Sequence, residues 1–171
     1  PGSVWERLVL PERNLAPVPD GMSVEKAAAF SLATLTAWRM LANRAAVRAG
    51  ETVLIWGIGG GVSLAALQIA KLLGARVIAT SSSDAKLAAA TALGADVTLN
   101  TTTMDVPLQV RELTARRGCA VVATTGGERT QAEARRFLGP RGRLVTCCAN
   151  AGQMAVPGVR TRLAIRLGHS G

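Results

Sequence analysis

The sequence predicts an α/β protein built on a doubly wound parallel sheet. Three observations carry that expectation. Short apolar, β-branched runs recur at Val53–Trp56, Arg76–Thr80, Val97–Leu99, Ala120–Ala123 and Arg143–Cys147. Segments of helical periodicity separate them, at Val62–Leu73, Asp84–Leu93, Val106–Thr114 and Glu128–Leu138. Strands alternating with helices of that length form βαβ units, and right-handed crossovers wind them onto both faces of one sheet. Third, the first of these strands runs straight into a glycine-rich turn and then a helix, the order in which such sheets hold a pyrophosphate.

Val4–Leu10 alternates weakly and begins on a β-branched residue, which predicts a strand. Pro11, Pro17, Pro19 and Gly21 predict a stiff, extended connector. Ser23 is placed to cap a short helix through Phe30. A second helical pattern covers about residues 32–45, with Leu32, Leu35, Trp38, Arg39, Leu41 and Ala42 near helical spacing, and Gly50 closes this lead-in. In the helix after the glycine turn, Leu64, Leu67, Ile69, Ala70 and Leu73 form a wide apolar face that Gly74 ends. Ser83 can cap the next helix and Gly94 ends it. The helix at 106–114 carries Leu108, Val110 and Leu113, and the one at 128–138 is mostly polar outward. From Val159 the tail reads as a short helix and a last strand at Leu163–Leu167. No repeat of fixed period is present.

A chain of 171 residues with 49% hydrophobic residues can bury a sizeable core and excludes a disordered polymer. No apolar run reaches the roughly 18 residues of a membrane span. The opening PGSVWERLVL has neither initiator Met nor the pattern of a signal peptide, so the reading is a fragment or processed piece of a longer chain. Cys119, Cys147 and Cys148 are odd in number and lack ligand spacing, which predicts a reduced, cytoplasmic setting. With one histidine, His169, and neither CxxC nor HxxxH, no zinc site is expected within this chain. Net charge is +9, and from residue 111 onward there are eleven Arg against three acids. That excess fits nucleic acid or another acidic partner. The favoured reading is a solvated face or one covered by a further domain, because aromatic residues for base stacking are few.

Residues 50–64, GETVLIWGIGGGVSL, are the most informative stretch. Val53–Trp56 stops at Gly57, followed by Gly59, Gly60 and Gly61, and a helical pattern starts at Val62. Glycines let backbone amides approach phosphates, and the helix start adds free N–H groups and partial positive charge. No register completes G-x-G-x-x-G. In the preferred one the three positions are Ile58, Gly60 and Ser63, so only the middle glycine survives. Ile58 removes turn freedom, and Ser63 offers a hydroxyl that can donate to phosphate. The competing reading is a glycine-rich turn that binds nothing.

An NAD site usually carries an acid about 20 residues past the glycines. Here Thr80 stands there, followed by Ser81, Ser82 and Ser83, and the first acid is Asp84. Three hydroxyls with Lys86 one helical turn on suit a 2′-phosphate, so NADP(H) is expected over NAD(H). The plain alternative is that Ser83 caps the helix and Lys86 is solvated. Ligands in such sheets sit outside the carboxyl ends of the strands. That adds residues 57–61, 80–83, 100–102, Thr124–Gly127 and Cys148–Asn150, with Thr124, Cys148 and Ala149 as further candidate contacts.

The segments VLPERNLAPVPDGMSVEKAAAFSLATLTAWRML and AGETVLIWGIGGGVSLAALQIAKLLGARVIAT resemble the medium-chain dehydrogenase/reductase superfamily, near its zinc-type alcohol dehydrogenases and quinone oxidoreductases. The ordered motifs P-x-P-D-G-M-S, A-A-A-F, L-T-A-W, the glycine turn, A-A-L-Q-I-A-K and A-L-G-A-D carry the resemblance, which runs from about residue 3 to the end. It implies a Rossmann domain over residues 21–171, with residues 1–20 as the tail end of a GroES-like catalytic domain. The family's front part, with its zinc ligands or substrate pocket, is not in this sequence. Nor is the segment that returns to complete the catalytic domain. By resemblance, Gly60, Gly61 and Val62 lie against the pyrophosphate, Ser83 and Lys86 contact the adenosine phosphate, Thr36 sits near the nicotinamide phosphate, and Gly168–Ser170 form the last nicotinamide loop. There are departures. Ser63 stands where the family has glycine, Cys119–Thr124 replaces a run with two acids, and Thr101 stands where Tyr is common.

The leading expectation is the cofactor-binding portion of an NADP(H)-dependent oxidoreductase acting on a small alcohol, aldehyde, quinone or enone, with the cofactor carrying the hydride chemistry. No catalytic residue and no metal ligand is assigned, and the chain alone is expected to turn over nothing. The second reading is a non-catalytic nucleotide-binding module that dimerises through its last strand. Nucleic-acid binding is a distant third, resting on the Arg excess and on RNA binding among some quinone-reductase relatives. No membrane association is expected.

Overall fold

The computed structural model describes residues 7–125 and 128–147. Its centre is a five-stranded parallel sheet of β1 (Thr52–Trp56), β2 (Arg76–Ser81), β3 (Val97–Asn100), β4 (Cys119–Thr124) and β5 (Leu138–Thr146). The strand order is β3-β2-β1-β4-β5, with every neighbouring pair parallel. The chain therefore winds outward from β1 to β3, crosses back, and continues through β4 to β5. The winding reverses between β1 and β4, which makes the carboxyl end of β1 the topological switch point. This is the doubly wound Rossmann arrangement that the alternation of strands and helices predicts.

Five helices flank the sheet: α1 (Val24–Trp38), α2 (Gly61–Leu72), α3 (Asp84–Ala92), α4 (Val106–Leu113) and α5 (Glu128–Arg135). Strands buried on both sides read as unbroken apolar runs, as in Val53, Leu54 and Ile55. Alternate side chains feed two cores. Val53, Ile55, Val77 and Ala79 pack under α1, α2 and α3, against Ala37, Ala66, Leu67, Ala70, Leu87 and Ala90. Leu54, Ile78, Leu99 and Val122 pack under α4 and α5, against Val106, Val110, Ala134 and Phe137. Fully burying a Leu or Ile stabilises by about 1.5–3 kcal/mol, so each face is a substantial contributor.

Several boundaries differ from expectation. Arg7–Leu10 forms no strand, and Val9 is 98% exposed, because no strand among the described residues pairs with it. Within the proline connector, Glu12–Asn14 makes one 3-10 turn. Ser23 caps α1 as predicted, its Oγ accepting from the Lys26 N–H at 3.3 Å. The two helices expected around Phe30 are one. Ser31 does not break it, because its hydroxyl donates to the Ala28 carbonyl at 3.3 Å. The helix then widens into a π-type segment at Arg39–Arg44 that buries Met40 and Leu41. On the outer side of α1, Phe30, Leu32 and Leu35 stay exposed. α5 ends at Arg135 and β5 starts at Leu138 rather than Arg143. The register jumps from Cys119↔Leu138 to Val121↔Arg143, so the stretch before Arg143 is a bulge and the regular ladder begins where the sequence placed it. The predicted tail helix and last strand lie outside the described residues. No described helix is long and apolar enough to cross a membrane.

Candidate cofactor-binding site

The glycine turn leaves the carboxyl end of β1 at the switch point. Its positive φ angles fall on Gly57 (+89°) and Gly59 (+131°). Those two glycines flank Ile58 and take the conformations that a β-branched residue avoids. Ile58 is instead 3% exposed and packs into the core with α2.

Four successive amides of the turn are tied inward. The Gly57 N–H donates to Thr80 Oγ1 at 3.1 Å, and the Ile58 N–H donates to the Thr80 carbonyl at 2.7 Å. The Gly59 and Gly60 N–H groups both donate to Ser63 Oγ at 3.1 Å. Ser63 Oγ in turn donates its one proton to the Gly60 carbonyl at 2.9 Å. This corrects the expectation that Ser63 donates to a phosphate: the side chain is buried and its proton is committed to the turn. The amides left without an intrahelical acceptor are those of Gly61 and Val62 in the first turn of α2. Gly61 faces α1, where a Cβ would meet Ala33 Cβ at 3.4 Å, ordinary contact distance.

A cavity of about 880 Å³ opens beside this turn. Gly57, Gly59 and Gly60 line one side, Ser81, Ser82 and Lys86 another, and Asp105, Val106 and Pro107 at the start of α4 a third. The Lys86 side chain lies across Gly59, so a Cβ added there would sit 2.5 Å from Lys86 Cδ. Turn and cation thus form one wall. Ser82 and Lys86 are exposed, while Ser81 is buried, its Oγ accepting from the Ser83 N–H at 3.2 Å. Ser83 occupies the N-cap position of α3 but its hydroxyl makes no capping bond, and it does not line the cavity.

The position 20 residues past Gly60 has a different task from the one it carries in an NAD site. Thr80 is fully buried, and its hydroxyl points beneath the turn to the Gly57 amide and the Ile55 carbonyl. Asp84, the first acid downstream, accepts from Asn100 Nδ2 at 2.6 Å. Asn100 Oδ1 accepts from the Thr102 amide at 2.9 Å and the Thr102 hydroxyl at 2.7 Å, so Asn100 braces the loop after β3 and ties it to the start of α3. Sequence reasoning missed both the Thr80 latch and the Asp84–Asn100 link. The signal for the first is Thr80 as the first hydroxyl after the buried apolar run Val77–Ala79, at the level of the turn.

Thr36 is not brought to the cavity. It sits on α1, with its hydroxyl donating to the Leu32 carbonyl at 2.8 Å. Thr124 is buried at the end of β4, between Trp56 and Thr146 in the ladders, on the far side of the turn from the cavity. Cys148, Ala149 and Gly168–Ser170 lie outside the described residues. Among the described residues, no group of three or more His, Cys, Asp or Glu side chains comes together.

A model of the zinc-binding dehydrogenase family matches residues 61–166. The chain belongs to that family, within the medium-chain dehydrogenase/reductase superfamily. Its sequence is 39% identical to the quinone oxidoreductase of Pseudomonas aeruginosa over 145 residues, 85% of this chain and 45% of that protein. It is 36% identical over 146 residues to a phenolphthiocerol/phthiocerol polyketide synthase of Mycobacterium tuberculosis, 85% of this chain but 7% of that protein. Among solved structures, an NAD-dependent alcohol dehydrogenase is 47% identical with a TM-score of 0.80, covering 85% of this chain and 42% of that one. The chain thus spans less than half the length of these relatives. The family binds a nicotinamide cofactor, and the glycine turn that lines the large cavity leads directly into the start of α2, although Gly61, Val62 and Ser63 do not line that cavity themselves.

Proposed function

We propose that this member of the zinc-binding dehydrogenase family forms the cofactor-binding portion of an NADP(H)-dependent oxidoreductase that moves hydride to or from a small alcohol, aldehyde, quinone or enone. The Gly61 and Val62 amides and the α2 dipole would hold the pyrophosphate, with Thr80 and Ser63 keeping the turn rigid behind them. The bound nicotinamide supplies the hydride chemistry. This chain supplies grip, orientation and exclusion of water, and no acid or base among its described residues is assigned to the reaction.

The observation that carries the NADP(H) preference is the placement of Lys86 and Ser82 on the wall of the same cavity as the turn, while Asp84 is engaged by Asn100. A cation with hydroxyl donors matches a 2′-phosphate, and a carboxylate free to accept from two ribose hydroxyls is what an NAD site needs. The opposite preference has one support, the NAD dependence of the 47%-identical alcohol dehydrogenase. Fluorescence titration with NADPH and NADH separates the two. Lys86→Gln is expected to weaken NADPH about tenfold, the loss of one charge-assisted contact, and to leave NADH unchanged. Tighter NADH binding by the parent chain would refute the preference. The chain is proposed to act in the cytoplasm, and dimerisation through the segment at 163–167 remains a proposal that light scattering tests.

A further inference from the structure

The Arg excess after residue 111 plays no part in the cofactor site, and the structure gathers four of those arginines around a second cavity. It measures about 360 Å³ and lies between α4 and the junction of α5 with β5, at the amino-terminal edge of β4 and β5. The glycine turn is at the opposite edge of the sheet. Val110 and Phe137, both buried, belong to the apolar floor, and Arg111, Arg116, Arg117 and Arg136 line the rim. All four arginines are exposed, and none makes an ion pair among the described residues. The acids nearest in sequence, Glu112 and Glu133, do not line this cavity.

The backbone that presents two of these arginines is held in place. Ala115 and Arg116 take consecutive positive φ angles of +48° and +63°, uncommon for residues with side chains. The turn is clamped by the Arg116 N–H to the Arg111 carbonyl at 2.6 Å, and by the Gly118 N–H to Thr114 Oγ1 at 3.1 Å. Thr114 Oγ1 itself donates to the Val110 carbonyl at 2.7 Å. A local conformation of this cost persists where the surroundings fix it, and such sites are enriched in function.

We propose that this groove is a second phosphate site and binds an organic di- or triphosphate. Guanidinium forks match phosphate oxygens in pairs, and four unneutralised cations around one cavity call for more negative charge than a monophosphate carries. Leu138 and Pro140, which line the cavity and are less buried than its floor, meet the organic part of the ligand. Nucleic acid fits less well: the cavity is confined, and its one aromatic residue, Phe137, is only 5% exposed and offers no stacking platform.

The test is calorimetry on the 171-residue chain with tripolyphosphate, ATP and a single-stranded RNA as probes. Tripolyphosphate and ATP are both expected to bind. Arg116→Gln and Arg136→Gln should each weaken both about tenfold, and together about a hundredfold, or about 1.4 kcal/mol per substitution. The circular dichroism spectrum and the NADPH titration should stay as in the parent. In a second measurement, ATP should shield Arg111, Arg116, Arg117 and Arg136 from phenylglyoxal. The proposal is overturned by unchanged tripolyphosphate affinity in the double variant, or by the absence of binding in the parent. Shielding confined to other arginines overturns it too, as does RNA affinity that grows with length while tripolyphosphate fails to bind.

Discussion

Thr80→Val removes one hydroxyl from beneath the glycine turn and keeps the shape of the side chain. Thr80 is itself fully buried, while the Gly57 it holds is exposed on the cavity wall. The Gly57 N–H, which donates to Thr80 Oγ1 at 3.1 Å, then loses its acceptor at a part-buried turn. Water can partly replace that acceptor, so the cost falls at the low end of the range for an unpaired donor, about 1 kcal/mol. The bond from Thr80 to the Ile55 carbonyl is longer, at 3.4 Å, and adds little. For a domain of this size, about 2–4 °C of melting temperature accompanies each kcal/mol, so the midpoint should fall by about 2–4 °C. The loss is local, so hydrogen exchange at the Gly57 amide should speed up while the amides of β3 stay protected. Cofactor affinity should drop several-fold, because the turn must be ordered on binding. Calorimetry and residue-resolved exchange read both effects. A variant that melts within about 1 °C of the parent with Gly57 still protected would refute the view that Thr80 holds the turn.

Two further outcomes follow from ionisable groups. Burial raises the Glu51 carboxyl, but the Arg143 guanidinium and the Arg48 amide outweigh it and hold its pKa below the ordinary carboxylate range. Its contribution is therefore complete above the unfolded value of about 4.3 and is lost as pH falls through the lower folded value. Urea midpoints should drop between about pH 5 and 3, and Glu51→Gln should flatten that drop; an equal slope in the variant would place the acid sensitivity elsewhere. Burial pushes the Cys119 thiol up to about 12. At pH 8 its thiolate is about one part in ten thousand, so iodoacetamide should leave Cys119 unmodified until the chain unfolds, as peptide mass mapping would show.

The sheet was legible because its strands are buried on both faces and read as plain apolar runs bounded by glycines. What stayed hidden depended on partners. Val4–Leu10 has the composition of a strand, but a strand exists only by pairing, and no strand among the described residues pairs with Arg7–Leu10. The two helical patterns around Phe30 join into one helix, with the Ser31 hydroxyl returning to the Ala28 carbonyl inside it. The strand expected from Arg143 begins earlier, at Leu138, because a bulge adds residues ahead of the regular ladder.

The site was legible in its place and misread in its parts, and Ser63 explains why. A glycine fingerprint records residue types, whereas a diphosphate needs amides pointing outward from a rigid turn. In this chain Thr80 and Ser63 draw the Gly57, Ile58, Gly59 and Gly60 amides inward, and the turn is held by side-chain oxygens and a strand carbonyl. Gly61 meets Ala33 of α1 at ordinary contact distance. Ser63 therefore decides which groups brace the turn. The amides without an intrahelical acceptor are left to the start of α2, and free amides at a helix start are what the chemistry of phosphate recognition requires.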